Sequence, residues 1–410
     1  MLSPLYLDSA RLGQLSPDAR KSLGDFLDLV GTAPTHPHLI QWLRAGAPLP
    51  HGLGLLSRWR GIEAFEQSMA RMFGAPACSN VFLSSRSVTL IRLGLQQLFN
   101  RCRRCLTVDT CWPRYLQELH QASVEKSDSV FVKSFRRPVY DRGMLVEEFC
   151  ENLCMIYCSE GCDGLFLPAV DHLGSRIPVA QIVRTIREFG GEIRFVVVDA
   201  AQALGHVPLD DDCNVADFLV AGTHKWLGSY STLGIGVAPQ TSSSAEIRIG
   251  IQQALRSSLM DDGLLAFIEQ LRGAANIQSE TVNLCPLFSA FGAQENAKHP
   301  TVDSVTAQMQ NGRKVIRIAE RTGWYAELPE NAFRCGIILL QLPKQQRQIP
   351  ASQLQQVFSD QSVFLTAYDR GMVRMSLPTA PLNAEALERL EYALVAAYQA
   401  ASEDYASVLG

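Results

Sequence analysis

The chain has 410 residues, 47% hydrophobic and 19% charged, with a net charge of −4 and an isoelectric point near 6.1. That is enough apolar material for a large core in two lobes. The mildly acidic balance, without a Lys/Arg run, excludes electrostatic docking on nucleic acid or an acidic membrane and leaves a small molecule as the expected partner. There is no apolar run of 18 residues and no basic leader followed by an apolar stretch, so a cytoplasmic protein with no membrane partner is expected.

The opening segment, MLSPLYLDSARLGQLSPDARKSL, leads into Gly31 to Arg60, where prolines and histidines crowd from Pro34 to His51 and irregular backbone is expected. From about Arg60 to Gly250 helical and strand patterns alternate. EAFEQSMARMF reads as an amphipathic helix, VFLSS as a strand, VTLIRLGLQQLF as a helix and CLTVD as a strand. GLFLPAV, RFVVVDA and DFLVAG follow as strands, with the helix PVAQIVRTIREFG before the second of them. Repeated strand and helix predict a mostly parallel sheet flanked by helices. After Gly250 a helical region from about Met260 to Glu280 precedes a Gly/Pro/His-broken stretch. The strands CGIILLQL, VFLTAYD and VRMSLP and the helix NAEALERLEYALVAAYQAA come next. The predicted class is therefore α/β, with a large lobe and a smaller α+β C-terminal lobe. Residues 1–60 form an arm and irregular segment, 61–255 the large domain and 256–410 the small one.

Eleven cysteines cannot all pair, and Cys102 and Cys105 form a CxxC without the second pair that a structural zinc site needs. Cys154, Cys158 and Cys162 recur every fourth residue and read as small buried side chains. No metal is expected.

The chemistry is announced by "VVVDAAQALG", Val196 to Gly205, where a run of apolar residues delivers Asp199 to a strand end. In an open parallel sheet ligands sit beyond the carboxyl ends of the strands. The next strand ends in THKWLG, which brings Lys225 to the same edge, 26 residues on. Pyridoxal 5′-phosphate wants both groups: a carboxylate on its ring nitrogen and an amine at its aldehyde. Poor solvation of Lys225 would lower its pKa enough for a Schiff base. The plainer alternatives are an aspartate that caps a helix and a solvated lysine.

DAAQALGHVPLD followed by ADFLVAGTHKWLG closely resembles the aspartate and lysine motifs of the class V aminotransferase family. These are fold type I enzymes that also include cysteine desulfurases, kynureninases and isopenicillin N epimerase-like proteins. The resemblance extends from YLDSARLG to VRMSLPTAPLNAEALERL. It implies pyridoxal 5′-phosphate as cofactor, Lys225 as the catalytic residue and Asp199 on the ring nitrogen. Gln202 is implied at the ring oxygen, His224 beside the phosphate or aldehyde, and Thr223 at the phosphate. VFLSSRSVTLIRLGL corresponds to the family's phosphate turn, which makes Arg86 and Ser87 the phosphate residues, although Ser85 and Arg86 replace the usual small residues. Arg86 can equally be a solvated helix-start residue. Trp112 stands where the family commonly stacks a histidine on the ring, and Asp171 where an Asn neighbours the ring oxygen; Asp171 also reads as a turn-former. Arg374 corresponds to the arginine for the substrate α-carboxylate.

The family's sites form at a homodimer interface, with a partner hydroxyl on the phosphate. LRSSLMDD, with Ser257 and Ser258, occupies that place. Cysteine desulfuration needs a nucleophilic cysteine shortly before Arg374, and VFLTAYDRGMVRMSL has none, which disfavours it. Transamination of an α-amino acid through a Cα carbanion, with Lys225 moving the proton, is the preferred expectation. A lyase or epimerase acting on a modified amino acid is the alternative, and a non-catalytic relative the more distant one.

Overall fold

The computed structural model describes residues 4–46, 54–257, 260–274 and 281–409. Strand β1 (Leu5–Tyr6) belongs to the N-terminal arm. A seven-stranded sheet contains β2 (Asn80–Ser84), β3 (Arg104–Val108), β4 (Ser129–Lys133), β5 (Gly164–Pro168), β6 (Phe195–Asp199), β7 (Phe218–Gly222) and β8 (Gly234–Ala238). Their spatial order is β2-β8-β7-β6-β5-β3-β4. Strands β7, β6, β5, β3 and β4 pair in parallel, and β8 runs against both of its neighbours. Strands β5 and β6 are buried along their whole length, as unbroken apolar runs covered on both faces must be. Each such valine, leucine or phenylalanine contributes about 1.5–3 kcal/mol.

A smaller sheet follows from β9 (Tyr325–Glu327), β10 (Ile337–Gln341), β11 (Val363–Phe364), β12 (Thr366–Tyr368) and β13 (Met372–Ser376). Four of these pair antiparallel in the order β12-β13-β10-β9, while β11 pairs in parallel with β1, tying the arm to the C-terminal lobe. The α/β architecture, with a large mostly parallel sheet and a smaller α+β lobe, is thus present.

Several elements lie where the sequence pattern did not show them. Strand β4 is half-exposed and β8 carries two glycines, so neither displays an apolar run. The stretch expected to be broken by Gly, Pro and His contains two helices, Cys285–Glu295 and Val302–Arg321. Pro286 stands in the first turn of one, where its missing N–H costs nothing, and Thr301 with Ser304 forms a capping box on the other. Likewise, Gly31 to Arg60 is more regular than expected. The helix Pro17–Thr32 runs into it, and a short helix (Ile40–Ala45) and two helical turns follow, while 47–53 lies outside the described residues.

The core around the large sheet extends past residue 255 to include the helix Cys285–Glu295 and Phe333, Cys335 and Ile337. That helix and Gly263–Leu271 send Leu265, Ile268, Leu287 and Phe288 into the core around the large sheet. The second core, with Val315, Trp324, Leu340, Met375 and Leu394, recruits Leu7 from the arm.

Candidate active site

Strands β6 and β7 are adjacent and parallel, so their carboxyl ends deliver Asp199 and the loop carrying Lys225 to one edge of the sheet. There they line a cavity of about 430 Å³. Asp199 Oδ1 accepts the Ala201 N–H at 2.9 Å, and no other hydrogen bond reaches this carboxylate among the described residues. Burial pushes its pKa up to about 6, against the pull of the Lys225 charge. Burial likewise pushes Lys225 down to about 8, while Asp199 acts in the opposite sense. The amine is therefore far easier to free of its proton than an ordinary lysine.

His224 also lines the cavity, and its Nδ1 is buried without a hydrogen bond. Burial, and next the Lys225 charge, lower its pKa to about 4, so the ring is neutral. The imidazole fits because residue 222 is glycine: a Cβ there would lie 2.8 Å from the ring. Gly13 solves a similar problem on the arm, where a Cβ would come within 1.8 Å of the Lys225 carbonyl oxygen. The Gly13 N–H instead donates to the His224 carbonyl at 2.7 Å.

Gln202 faces the cavity with its amide already oriented: Nε2 donates to the Ala10 carbonyl at 2.7 Å, and Oε1 accepts the Trp226 indole N–H at 3.0 Å. Ser87 is the first residue of the helix Ser87–Arg101, and its hydroxyl lies 3.3 Å from that of Tyr115 on the cavity wall. A helix start with unpaired N–H groups and a cavity hydroxyl is suited to an anion such as phosphate.

Trp112 lines the cavity, 47% exposed, with its ring edge-on to His172 at 5.6 Å. Arg374 projects from β13 and is buried. Its Nη1 donates to the His172 carbonyl at 2.7 Å and its Nη2 to the Thr366 hydroxyl at 3.4 Å, while the Nε–H is buried without a partner. A guanidinium with a donor left over is ready for a carboxylate.

Three expected site residues stand elsewhere. Arg86 is exposed and occupies the N-cap position of its helix. Thr223 is buried behind the cavity, where its hydroxyl accepts from Ser229 at 2.7 Å. Asp171 is fully buried and closes its own turn, its Oδ1 accepting the N–H groups of Leu173, Gly174 and Ser175 at 2.8–3.0 Å, and it does not line the cavity. In its place His172 lines the wall. Its Nδ1 must carry hydrogen, because it bonds the Thr110 carbonyl at 2.9 Å, and burial lowers its pKa. Ser257 ends the helix Thr241–Arg256 with its hydroxyl on the Gln253 carbonyl; Ser258 lies outside the described residues.

Sequence reasoning also missed Arg11, Tyr115, Thr366 and Tyr368 in the lining. Arg11 and Thr366 were within reach, since the quoted arm and the segment before Arg374 both contain them. No group of three His, Cys, Asp or Glu able to hold a metal occurs among the described residues, and no described helix is long and apolar enough to cross a membrane.

The aminotransferase class-V family model matches residues 166–245, the stretch from β5 through β8 that holds Asp199, Gln202, His224 and Lys225. A rice protein (Oryza sativa subsp. japonica) assigned as L-cysteine desulfhydrase 1 is 23% identical over 198 residues, 45% of this chain. That match spans 40% of the rice protein's length. Among solved structures, a mutant of C-DES with glycine covalently linked to its PLP cofactor superposes with a TM-score of 0.69 at 14% identity, covering 96% of each chain. Alanine–glyoxylate aminotransferase from Nostoc sp. gives 0.64 at 13% identity over 97% of this chain and 96% of its own. These likenesses establish the fold. Residues 166–245 match the aminotransferase class-V family, whose cofactor is pyridoxal 5′-phosphate, and the whole chain has the fold of the fold type I pyridoxal-phosphate enzymes.

Proposed function

We propose that this chain is a pyridoxal-phosphate-dependent enzyme that labilises the Cα–H bond of an α-amino acid, with transamination as its reaction. The observation that carries the reading is the pair of oppositely charged, incompletely hydrogen-bonded groups, buried Asp199 and half-buried Lys225, on one cavity of cofactor size. The cavity suits the cofactor at each of its polar points. Asp199 would hold the ring nitrogen, Ser87 and the helix start behind it the phosphate, Trp112 a ring face, and Gln202 and His224 the oxygen-bearing edge. Bound there, pyridoxal 5′-phosphate supplies an aldehyde for amines and a ring that takes up the electron pair left at Cα.

Lys225 has two tasks in this reading. Its lowered pKa makes the neutral amine available as the covalent anchor, and once displaced the same amine carries a proton to and from Cα. Arg374 orients the substrate through its carboxylate, with Thr366 and the His172 carbonyl holding the guanidinium in place. The neutral His224 and His172 add no positive charge that would stabilise the protonated form of Lys225.

Elimination at Cβ is the second reading. It is favoured by the desulfhydrase relative and by His172, a neutral imidazole on the wall whose Nε2 is free to accept a proton. Desulfuration through a protein persulfide is not supported. No cysteine lines the cavity among the described residues, and Cys335 is buried with its thiol on the Gly174 carbonyl.

Borohydride reduction of the yellow holoenzyme should leave a pyridoxyl group on Lys225, and Lys225→Ala should abolish it. An amino donor without an acceptor should then convert the cofactor to its pyridoxamine form in a single turnover. Steady release of a keto acid and ammonia with unchanged cofactor would replace transamination by elimination. The reading includes a homodimer, so an active species that sediments as a monomer would contradict that part.

A further inference from the structure

Arg11 sits on the arm, an exposed residue that nevertheless lines the cavity. The residue before it is held at both ends: the Ala10 N–H donates to Ser376 Oγ at 2.8 Å and the Ala10 carbonyl accepts from Gln202 at 2.7 Å. The Arg11 N–H itself closes on the Asp8 carbonyl at 2.9 Å, and two residues later Gly13 is fixed to His224. The arm is thus pinned to both lobes on either side of Arg11, whose side chain lines the cavity together with Arg374, Thr366 and Tyr368. Its charge is felt by Tyr6, Asp8 and Tyr368.

Two guanidinium groups, Arg11 and Arg374, line the cavity beside Thr366 and Tyr368, and an α-carboxylate needs only one of them. Asp199 is the only carboxylate in the described lining, and the cofactor reading gives it to the ring nitrogen. Arg374 satisfies an α-carboxylate. Asp8 is set back from the lining: its carboxylate accepts the Thr366 hydroxyl and attracts Arg374 and Arg11 at a distance, without a hydrogen bond to either among the described residues. No described acidic side chain is hydrogen-bonded to the Arg11 guanidinium, which leaves a second cation on the cavity wall, near the Tyr368 that Arg374 also reaches.

We propose that the substrate is an amino acid whose side chain carries its own anionic group, a carboxylate, sulfinate or phosphate ester, and that Arg11 is the residue that selects it. This rests on the reading of the cavity as a cofactor-dependent amino-acid site. A guanidinium offers such a group a planar, two-pronged donor, and a charge-assisted pair of this kind distinguishes an anionic from a neutral side chain by about 10- to 100-fold. Arg11 is exposed, so R11Q is expected to fold as the wild type does.

The test is a titration of the holoenzyme, its cofactor verified first by colour, with L-aspartate, L-glutamate, L-cysteine sulfinate and O-phospho-L-serine beside L-alanine and L-serine. Affinity is read from the change in the visible spectrum. At least one anionic amino acid should bind about 10-fold or more tighter than alanine. R11Q should lose that preference while keeping its affinity for alanine, R11K should recover part of it, and R374Q should weaken all six. A yellow holoenzyme that prefers neutral amino acids, or an R11Q variant that keeps the anionic preference, overturns this inference alone. A protein that takes up no cofactor overturns it together with the proposed function.

Discussion

Asp199 is held as an anion-to-be in a place where water does little for it. Its carboxylate has one backbone N–H and the distant attraction of Lys225, and burial outweighs both, raising the pKa to about 6. A cationic partner seated on that carboxylate would reverse the imbalance, as the ring nitrogen of the cofactor would in the proposed reading. Asp199→Asn preserves the shape and removes the charge. Breaking a buried pair by deleting one partner costs about 3–5 kcal/mol. If half of that falls on the carbanionic transition state, turnover drops by about one to two orders of magnitude. The measurement is kcat for the preferred amino acid with saturating cofactor, and near-normal turnover would reduce Asp199 to a local backbone cap. At this scale the sequence was informative where identity and position coincide. Asp199 closes one apolar strand and Lys225 follows shortly after the end of the next, so the strand pattern alone brings them to one edge. Asp171 and Thr223 stand outside the cavity lining for a shared reason. Neighbours one residue apart at a strand end face in different directions, and the choice between Asp171 and His172 is made by the turn that the Asp171 carboxylate closes.

At the scale of elements, the phosphate end of the cavity depends on how closely β8 approaches the turn after β2. Gly234 pairs with Ser84 and Gly222, and a Cβ on it would lie 2.4 Å from Ser84 Oγ and 2.6 Å from the backbone at Arg86 and Ser87. The Ser84 hydroxyl can rotate, but the backbone at Arg86 and Ser87 cannot swing away. Gly234→Ala should therefore displace the start of the helix Ser87–Arg101, at an overpacking cost of about 1–3 kcal/mol, and weaken cofactor binding by about 10-fold. Gly24→Ala is the internal contrast. Gly24 lies exposed inside the helix Pro17–Thr32 with open space around its Cα, so alanine should stabilise the protein by about 0.5–1 kcal/mol. Thermal unfolding and cofactor titration of both variants check the pair, and equal behaviour would remove the role assigned to Gly234. Strand β8 was illegible for the same reason that it matters. Glycines that permit a close backbone approach dilute the apolar signature by which a strand is recognised.

At the scale of the whole molecule, His206 joins the cofactor loop to the smaller lobe, and it makes that junction sensitive to acid. The imidazole is fully buried and stacks on Trp226 at 3.8 Å. Its Nδ1–H donates to the Gln202 carbonyl at 2.8 Å, and its Nε2 accepts the N–H of Gly336, just before β10, at 3.0 Å. Protonating Nε2 would destroy that acceptor, and burial accordingly lowers the pKa to about 4 from 6.5. Between these two values the unfolded chain binds the proton and the folded one does not, so stability falls as pH drops. The contribution is fully present above about pH 6.5 and is lost as the pH approaches 4. A difference of 2.5 units corresponds to about 3 kcal/mol. Asp199, with its raised pKa, acts in the opposite sense, losing stability as pH rises through about 6. That contribution is common to wild type and variant and cancels between them. His206→Gln removes the titrating ring, so its stability deficit relative to wild type, measured by urea unfolding, should be largest near pH 7 and shrink by about 3 kcal/mol on going to pH 4. Stability curves that stay parallel across that range would show that the imidazole does not couple the two lobes through its neutral form.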